Sequence, residues 1–359
     1  MIIFDIINDC EYSQCASSVG WVICKESIYI IIFFPKQAFE RFIKLSKDEN
    51  MIKRMTNIPA VVDLEVRLAQ IKSFGDGYCQ VLSMPSPTME SFGEYSIEMS
   101  MLANEGMAEL VEQYPKQFPA FIASLPLNNP EEAVKEAKRA VEKLGARGVQ
   151  LFTNVLGVPL DDVRFKPIFQ LMAQYDLPIF LHPVRPATIS DYPAVEDKSR
   201  FEIWWAFGWP YETSACMARL VFNTHYFDEF PNIKILTHHL GGMIPFFNGR
   251  IGPGWSQLGK RTKDEDYSNI LPSMKKSHLD YFKMFYADTA LQGDQCGAPE
   301  CGIRFFGIDH VLFASDAPFD PEKGTMFVRL GLETMNTMDL SEEDRYKIFE
   351  GNASKLLKL

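Results

Sequence analysis

Short apolar runs alternate with amphipathic stretches along most of this chain, from about Val61 onward. In the clearest unit, residues 121–125 have the pattern of a strand, Pro130 stands at the first position of a helix, and Gly145 stands where that helix should end. Repeated strand–helix units of this kind favour a parallel sheet covered by helices. The alternation therefore predicts an α/β fold.

Strand candidates follow one another through this region, at residues 78–82, 121–125, 149–152, 178–182, 234–237, 285–287 and 311–315. One more strand before them would close a (β/α)8 TIM barrel. Two apolar runs, residues 1–7 and 27–34, compete for that position, so one is surplus and residues 1–35 are atypical. No linker, repeat or low-complexity segment divides the sequence, which predicts a single TIM-barrel domain over residues 1–359.

Charge and composition restrict the partners of such a fold. The chain has 36 Lys and Arg against 47 Asp and Glu, a net charge of −11, which opposes capture of nucleic acid or of an anionic membrane. No apolar run approaches the ~20 residues that cross a bilayer. Seven cysteines without regular spacing indicate reduced thiols, and the N-terminus lacks the basic start of a secretory signal. These features predict a cytoplasmic protein with a small-molecule partner.

Three candidate strands end in residues that bind metals or transfer protons. His182 ends one strand, His238 and His239 end another, and Asp316 ends a third. The carboxyl ends of barrel strands meet on one face, so we expect these side chains to converge. A single histidine at a strand end is more often a hydrogen-bonded structural residue. Three together favour a site for zinc or a similar divalent ion, whose ligands are imidazole nitrogen and carboxylate oxygen.

Other residues near these strand ends are open to two interpretations. Arg185 and Arg250 carry guanidinium groups that bind carboxylates, although most arginines are solvated surface residues. The aromatic segment that includes Trp204 is either the wall of a substrate pocket or a subunit interface. Gly241 and Gly242 either admit a ligand close to the backbone or make a tight turn.

An ordered set of short motifs resembles the amidohydrolase-2 branch of the amidohydrolase superfamily, and within it enzymes of the aminocarboxymuconate-semialdehyde decarboxylase and resorcylate decarboxylase type. The motifs are Leu-His-Pro at 181–183, His-Leu-Gly-Gly-Met-Ile-Pro at 239–245 with Gly-Arg at 249–250, Tyr-Ala-Asp-Thr at 286–289, Ala-Ser-Asp-Ala-Pro-Phe at 314–319 and Gly-Asn-Ala at 351–353. Each motif alone is weak, but the ordered set is specific.

The resemblance implies a (β/α)8 barrel with one divalent metal, zinc or manganese, and commonly the non-oxidative decarboxylation of an aromatic or muconate-like carboxylic acid. It implies that His182 and Asp316 are metal ligands and that His239 is the acid/base group. It also implies that Arg250 holds the substrate carboxylate, in some relatives across a dimer interface. On this interpretation Asp316 shares in proton transfer, Arg185 and Trp204 contact the substrate, zinc is the expected metal, and the protein is a homodimer.

One element of the family pattern is missing. The family carries His-x-His or Glu-x-His on its first strand, whereas no histidine precedes His182 in this chain. Asp5 lies in the first apolar run and the Phe-Phe-Pro sequence of residues 33–35 ends the second, but neither run brings the ligand pair. An unrelated segment, roughly residues 6–32, is therefore expected in its place.

Three functions remain open at this point. The first is a metal-dependent decarboxylase acting on a small carboxylate, with neither nucleic acid nor membrane as partner. The second is a metal-dependent hydrolase that uses the same site with metal-activated water. The third is a catalytically silent barrel that keeps the fold and has lost its metal. Analysis of reaction products separates the first two, and analysis of bound metal identifies the third.

Overall fold

The strands of this protein follow one another around a parallel sheet in chain order. The computed structural model describes residues 27–185, 190–261, 266–291 and 297–359. The strands are β1 (Ser27–Ile32), β2 (Tyr78–Ser83), β3 (Ala120–Phe121 and Ala123–Ser124, interrupted at Ile122), β4 (Val149–Phe152), β5 (Ile179–His182), β6 (Ile235–Thr237), β7 (Tyr286–Asp288) and β8 (Val311–Leu312). Each pairs in parallel with the next. The predicted (β/α)8 barrel is confirmed.

Helices connect the strands and cover the sheet. Between β1 and β2 they are Lys36–Leu45, Glu49–Thr56, Pro59–Val62 and Leu64–Ser73. The next connections carry Ser96–Gln113, Pro130–Leu144 and Lys166–Tyr175, and the one after β5 carries Trp209–Asn223 and Tyr226–Glu229. Later helices are Ile270–Ser273, His278–Phe282, Ala298–Phe306, Met326–Thr337, Glu342–Tyr346 and Asn352–Leu357. A short antiparallel hairpin joins Asn154–Val155 to Val158–Pro159.

The second of the two N-terminal apolar runs supplies β1. Ile28 pairs with Cys79 of β2 and Ile32 pairs with Ser83. The segment that was expected to be unrelated to the barrel therefore contains its first strand at its end. The other run, residues 1–7, lies outside the described residues, and so does Asp5.

Alternate residues of β1 face opposite sides of the sheet. Ile28 belongs to the interior cluster of the barrel, together with Val81, Phe180, Leu236 and Leu312. Ile31 packs in the outer core between sheet and helices. Because side chains alternate along a strand, Ile32 lies on the same inward side as Ile28. Residues of the first and last strands thus share one interior.

Local signals place the helix ends where the sequence predicts them. The Asn129 side chain accepts a hydrogen bond from the backbone N–H of Glu132 at 3.3 Å, and Gly145 ends that helix with a φ of 78°. Ser341 caps the helix Glu342–Tyr346 by accepting from the N–H of Asp344 at 3.1 Å.

The structure also bears on the predictions about membrane-spanning helices and about the cysteines. In the ranges given above, no helix is long and apolar enough to span a bilayer. Cys79, Cys216 and Cys301 are free thiols, as expected for cysteines that are not paired in disulfides.

Candidate active site

The carboxyl ends of β5, β6 and β8 open into a cavity of about 720 Å³. His182, His239 and Asp316 all line it. The ring centres of His182 and His239 are 6.2 Å apart, and His239 Nε2 lies 3.8 Å from Asp316 Oδ2. The three side chains that the sequence singled out at separate strand ends therefore meet in one space.

Asp288, at the end of β7, holds the loop that carries the two adjacent histidines. Its Oδ1 accepts hydrogen bonds from the backbone N–H groups of His239 at 3.0 Å and Ala290 at 3.2 Å, and its Oδ2 pairs with His238 Nδ1. Burial acts to raise the pKa of Asp288, but the charge and hydrogen bond of His238, the charge of His239 and the Ala290 N–H together outweigh burial, so the pKa is lowered. Asp288 is thus an ionised anchor. Sequence reasoning placed it in a motif and gave it no role, although a polar residue at a strand end was the available signal.

His239 is held in a conformation that few side chains adopt. Its φ is 55° and that of Leu240 is 49°, both in the left-handed region. Its Nδ1 is buried and has no hydrogen-bond partner among the residues that the structure describes. Burial acts to lower the pKa of His239, but the hydrogen bond and charge of Asp316 together with the charge of Asp288 outweigh burial, so the pKa is raised overall. The ring is therefore suited to carry a proton into the cavity.

His182 is the opposite case. Burial, reinforced by the neighbouring His238 and His239, lowers the pKa of His182 to about 3, so its ring is neutral. Nδ1 lies 2.7 Å from the carbonyl oxygen of Pro183, which can only accept, so Nδ1 carries the hydrogen. The lone pair of Nε2 is left as an electron-pair donor.

Gly241 and Gly242 make a tight turn packed against protein. A Cβ on Gly241 would lie 2.6 Å from the ring of Phe306, and a Cβ on Gly242 would lie 2.3 Å from the carbonyl oxygen of Pro210. Both have positive φ. Of the two interpretations given to this pair, the structure supports the tight turn, and the turn positions His239.

Two arginines face the same cavity. Arg185 lines it, and Arg54, which sequence reasoning missed, lines it from the helix Glu49–Thr56. The Arg54 guanidinium lies 4.8 Å above the ring of Phe319. Partial burial lowers the pKa of Arg54, and the charges of Asp316 and Arg185 act on it in opposite directions. These guanidinium groups make one side of the cavity cationic.

The remaining predicted substrate contacts lie elsewhere. Trp204 packs against Gly208 and Trp209, while Trp205 and Trp209 line the cavity. Arg250 is exposed and is not among the residues of the cavity wall. A single chain thus brings His182, His239, Asp316 and Arg185 together, and leaves Trp204 and Arg250 outside.

A divalent metal requires more ligands than the described residues bring together in this cavity. Within residues 27–185, 190–261, 266–291 and 297–359, no group of three His, Cys, Asp or Glu side chains is placed to hold a metal ion. His182 and Asp316 are the predicted donors, whereas zinc sites in proteins usually have three or four protein ligands. These residues do not complete a metal site, and no reaction step is assigned to a cation.

This barrel, with its polar cavity at the carboxyl ends of the strands, has the architecture of a (β/α)8-barrel enzyme. Residues 82–359 match the model of the amidohydrolase family, which is more than half of the chain, so the chain belongs to that family. The predicted resemblance is confirmed.

Its relatives include several decarboxylases. Gamma-resorcylate decarboxylase of a Polaromonas species is 28% identical over 309 residues, covering 83% of this chain and 89% of that protein. The 2-amino-3-carboxymuconate-6-semialdehyde decarboxylase of Dictyostelium discoideum is 26% identical over 302 residues, covering 83% and 77%. The fold is shared with 5-carboxyvanillate decarboxylase of Novosphingobium aromaticivorans, solved with manganese and 4-hydroxy-3-methoxy-5-nitrobenzoic acid, at TM-score 0.76, 23% identity and coverage of 94% and 97%.

The turn after β6 can be tested by substitution. Gly242→Ala places a Cβ 2.3 Å from a backbone carbonyl at a φ of 61°, so we expect the free energy of unfolding to fall by about 2 kcal/mol or more. Gly249→Ala is the matched control, because nothing lies within 4 Å of its Cβ and its φ is −64°. Denaturant unfolding measures both, and equal stability of the two variants would contradict the packing described here.

Proposed function

We propose that this protein is a non-oxidative decarboxylase of an aromatic or muconate-like carboxylic acid. The observation that carries the proposal is the pairing of His239 with Asp316, Nε2 to Oδ2 at 3.8 Å, in a cavity whose wall also contains Arg54 and Arg185. A proton donor beside cationic carboxylate anchors is what this reaction needs. The curated relatives named above are decarboxylases, which supports this choice over a hydrolase.

The reaction balances without an oxidant. His239 delivers its proton to the ring or alkene carbon that bears the carboxylate. The bond between that carbon and the carboxylate then breaks, its electron pair returns to the unsaturated system, and carbon dioxide leaves. His239 regains a proton from solvent. Asp316 stabilises the protonated ring of His239 by charge before the transfer and again after reprotonation, and Asp288 fixes the backbone of His239.

The guanidinium groups orient the substrate. Arginine binds a carboxylate with paired hydrogen bonds and stays charged at neutral pH. Arg54 and Arg185 lie on the cavity wall with Trp205 and Trp209, whose rings offer an apolar face to an unsaturated substrate. The arginines thus bind anionic oxygens, while the tryptophans exclude water from the ring.

A divalent cation remains part of the proposal, with zinc expected and manganese as the alternative, since manganese is bound in the solved 5-carboxyvanillate decarboxylase. His182 and Asp316 are its proposed ligands. Such an ion, if bound there, would supply positive charge to the oxygens of a substrate. A cytoplasmic location and a single domain over residues 1–359 also stay predictions.

We further propose that the protein is a homodimer and that Arg250 acts at its interface. Phe246 is 79% exposed, its ring packs against that of Phe247, and the backbone N–H of Arg250 donates to the Phe247 carbonyl at 2.8 Å. Exposed aromatic side chains beside an arginine are typical of a protein interface. A second copy of the chain is the proposed occupant.

Carbon dioxide release tests the reaction. Purified protein supplied with zinc or manganese should convert at least one of gamma-resorcylate, 5-carboxyvanillate and 2-amino-3-carboxymuconate semialdehyde into carbon dioxide and the decarboxylated product in equal amounts. His239→Ala should lower turnover by about two to four orders of magnitude.

Three results would contradict these expectations. A hydrolysed product without carbon dioxide would indicate the hydrolase, and no turnover of any of the three acids would indicate the silent barrel. A His239→Ala rate equal to that of the wild type would remove this residue from the mechanism.

Arg54 should control binding rather than chemistry. Loss of a hydrogen-bonded charge costs about 1.5–3 kcal/mol, so Arg54→Gln should raise KM by about tenfold or more with a smaller change in kcat. Lys53→Gln on the same helix is the control, because Lys53 is exposed like Arg54 but is absent from the cavity wall. Steady-state kinetics separates the two constants, and an unchanged KM in Arg54→Gln rejects the assignment.

The interface is tested by sedimentation at micromolar concentration. The wild type should sediment as a dimer, and Phe246→Glu should shift it towards monomer because a charge would be buried between the copies. Val163→Glu is the control, since Val163 is 77% exposed on a different segment. A monomeric wild type, or equal behaviour of both variants, excludes this interface.

A further inference from the structure

The end of β1 contributes an alkyl group to the cavity. Ile32 is its last residue, faces inward like Ile28, and lines the same cavity as His182 and Asp316. Only 9% of its surface is exposed. The cavity wall at this strand end therefore offers carbon where the ends of β5 and β8 offer nitrogen and oxygen.

The position of Ile32 is fixed by a buried cation. The Arg67 side chain is fully buried, and its Nη2 donates a hydrogen bond to the Ile32 carbonyl oxygen at 2.7 Å. The backbone N–H of Phe33 donates to the carbonyl of Ser83 at 2.9 Å. These bonds hold the strand end on both sides. Since the backbone is anchored, a side chain substituted at this position would still project into the cavity.

We infer that, within the part of the chain that the structure describes, the cation site lacks a donor at β1, where Ile32 stands, and that the protein therefore binds a divalent cation weakly and exchangeably. Two protein ligands leave more positions to water than the three or four of usual zinc sites. The inference rests on the proposed function for the expectation that a cation belongs in this cavity. Beyond that function, it identifies residue 32 as the position that limits the affinity for the cation.

A direct test is zinc binding measured by calorimetry or a competing chelator, without any substrate. The wild type should lose its zinc on dialysis against metal-free buffer. Ile32→His should bind zinc at one equivalent with a dissociation constant lower by about tenfold or more, because a third donor is added. Ile32→Val keeps an alkyl group and should match the wild type. In the double variant Ile32→His/His182→Ala, the increase in zinc affinity should disappear.

Each result decides the inference. A wild-type protein that keeps one equivalent of zinc through dialysis overturns it, and so does an Ile32→His variant that is folded by circular dichroism with unchanged affinity. Ile32→Asp provides a second donor variant in case the histidine disrupts folding, and the wild-type measurement stands by itself. If the protein holds zinc tightly and releases carbon dioxide, this inference is rejected and the proposed function stands. If it binds zinc weakly and releases no carbon dioxide, this inference stands and the proposed function is rejected.

Discussion

The buried carboxylate of Asp288 is the interaction on which the site depends. Removing an ionised carboxylate from water costs several kcal/mol, and this cost is offset only if hydrogen bonds and an opposite charge replace the water. Here two backbone N–H groups and His238 replace it. One of those N–H groups belongs to His239, so the bond that helps to stabilise the buried carboxylate also fixes the backbone of the proposed proton donor. The left-handed conformation of His239 and Leu240 persists because these bonds and the packed glycines hold it.

Much of the fold could be predicted because its signals are local. Apolar runs separated by capped amphipathic stretches identify β2 and β4 to β8, since a buried parallel strand needs a short apolar segment and little else. The first strand could not be chosen in this way, because two runs of similar composition precede Lys36. Residues 27–32 are identified as β1 by their pairing with β2, and strand pairing is a tertiary property that the local sequence does not reveal. The interruption of β3 at Ile122 is hidden for the same reason.

The site was predictable where it follows from the barrel itself. His182, His239 and Asp316 stand at strand ends, and closure of the sheet brings strand ends together whatever the loops do. Arg54 has no such signal, because its helix lies in the long connection between β1 and β2 and reaches the cavity through tertiary packing. Trp204 and Trp205 show how far sequence composition can predict the residues that line the cavity. Adjacent residues of a helical turn point about 100° apart, so composition finds the segment without finding which ring faces the cavity.

Positive charge in the cavity has two independent sources, the arginine side chains and any bound cation. The two sources respond differently to conditions. A guanidinium stays protonated at any physiological pH, so Arg54 and Arg185 offer positive charge to a substrate whether or not a cation is present. The chain as a whole carries −11, but salt screens charges beyond about 8 Å, so a bound anion responds mainly to the arginines near it. A cation held by few ligands exchanges with its surroundings. On the proposed function, substrate binding by these arginines therefore does not depend on a metal, while any contribution from a metal depends on how much of that metal is available.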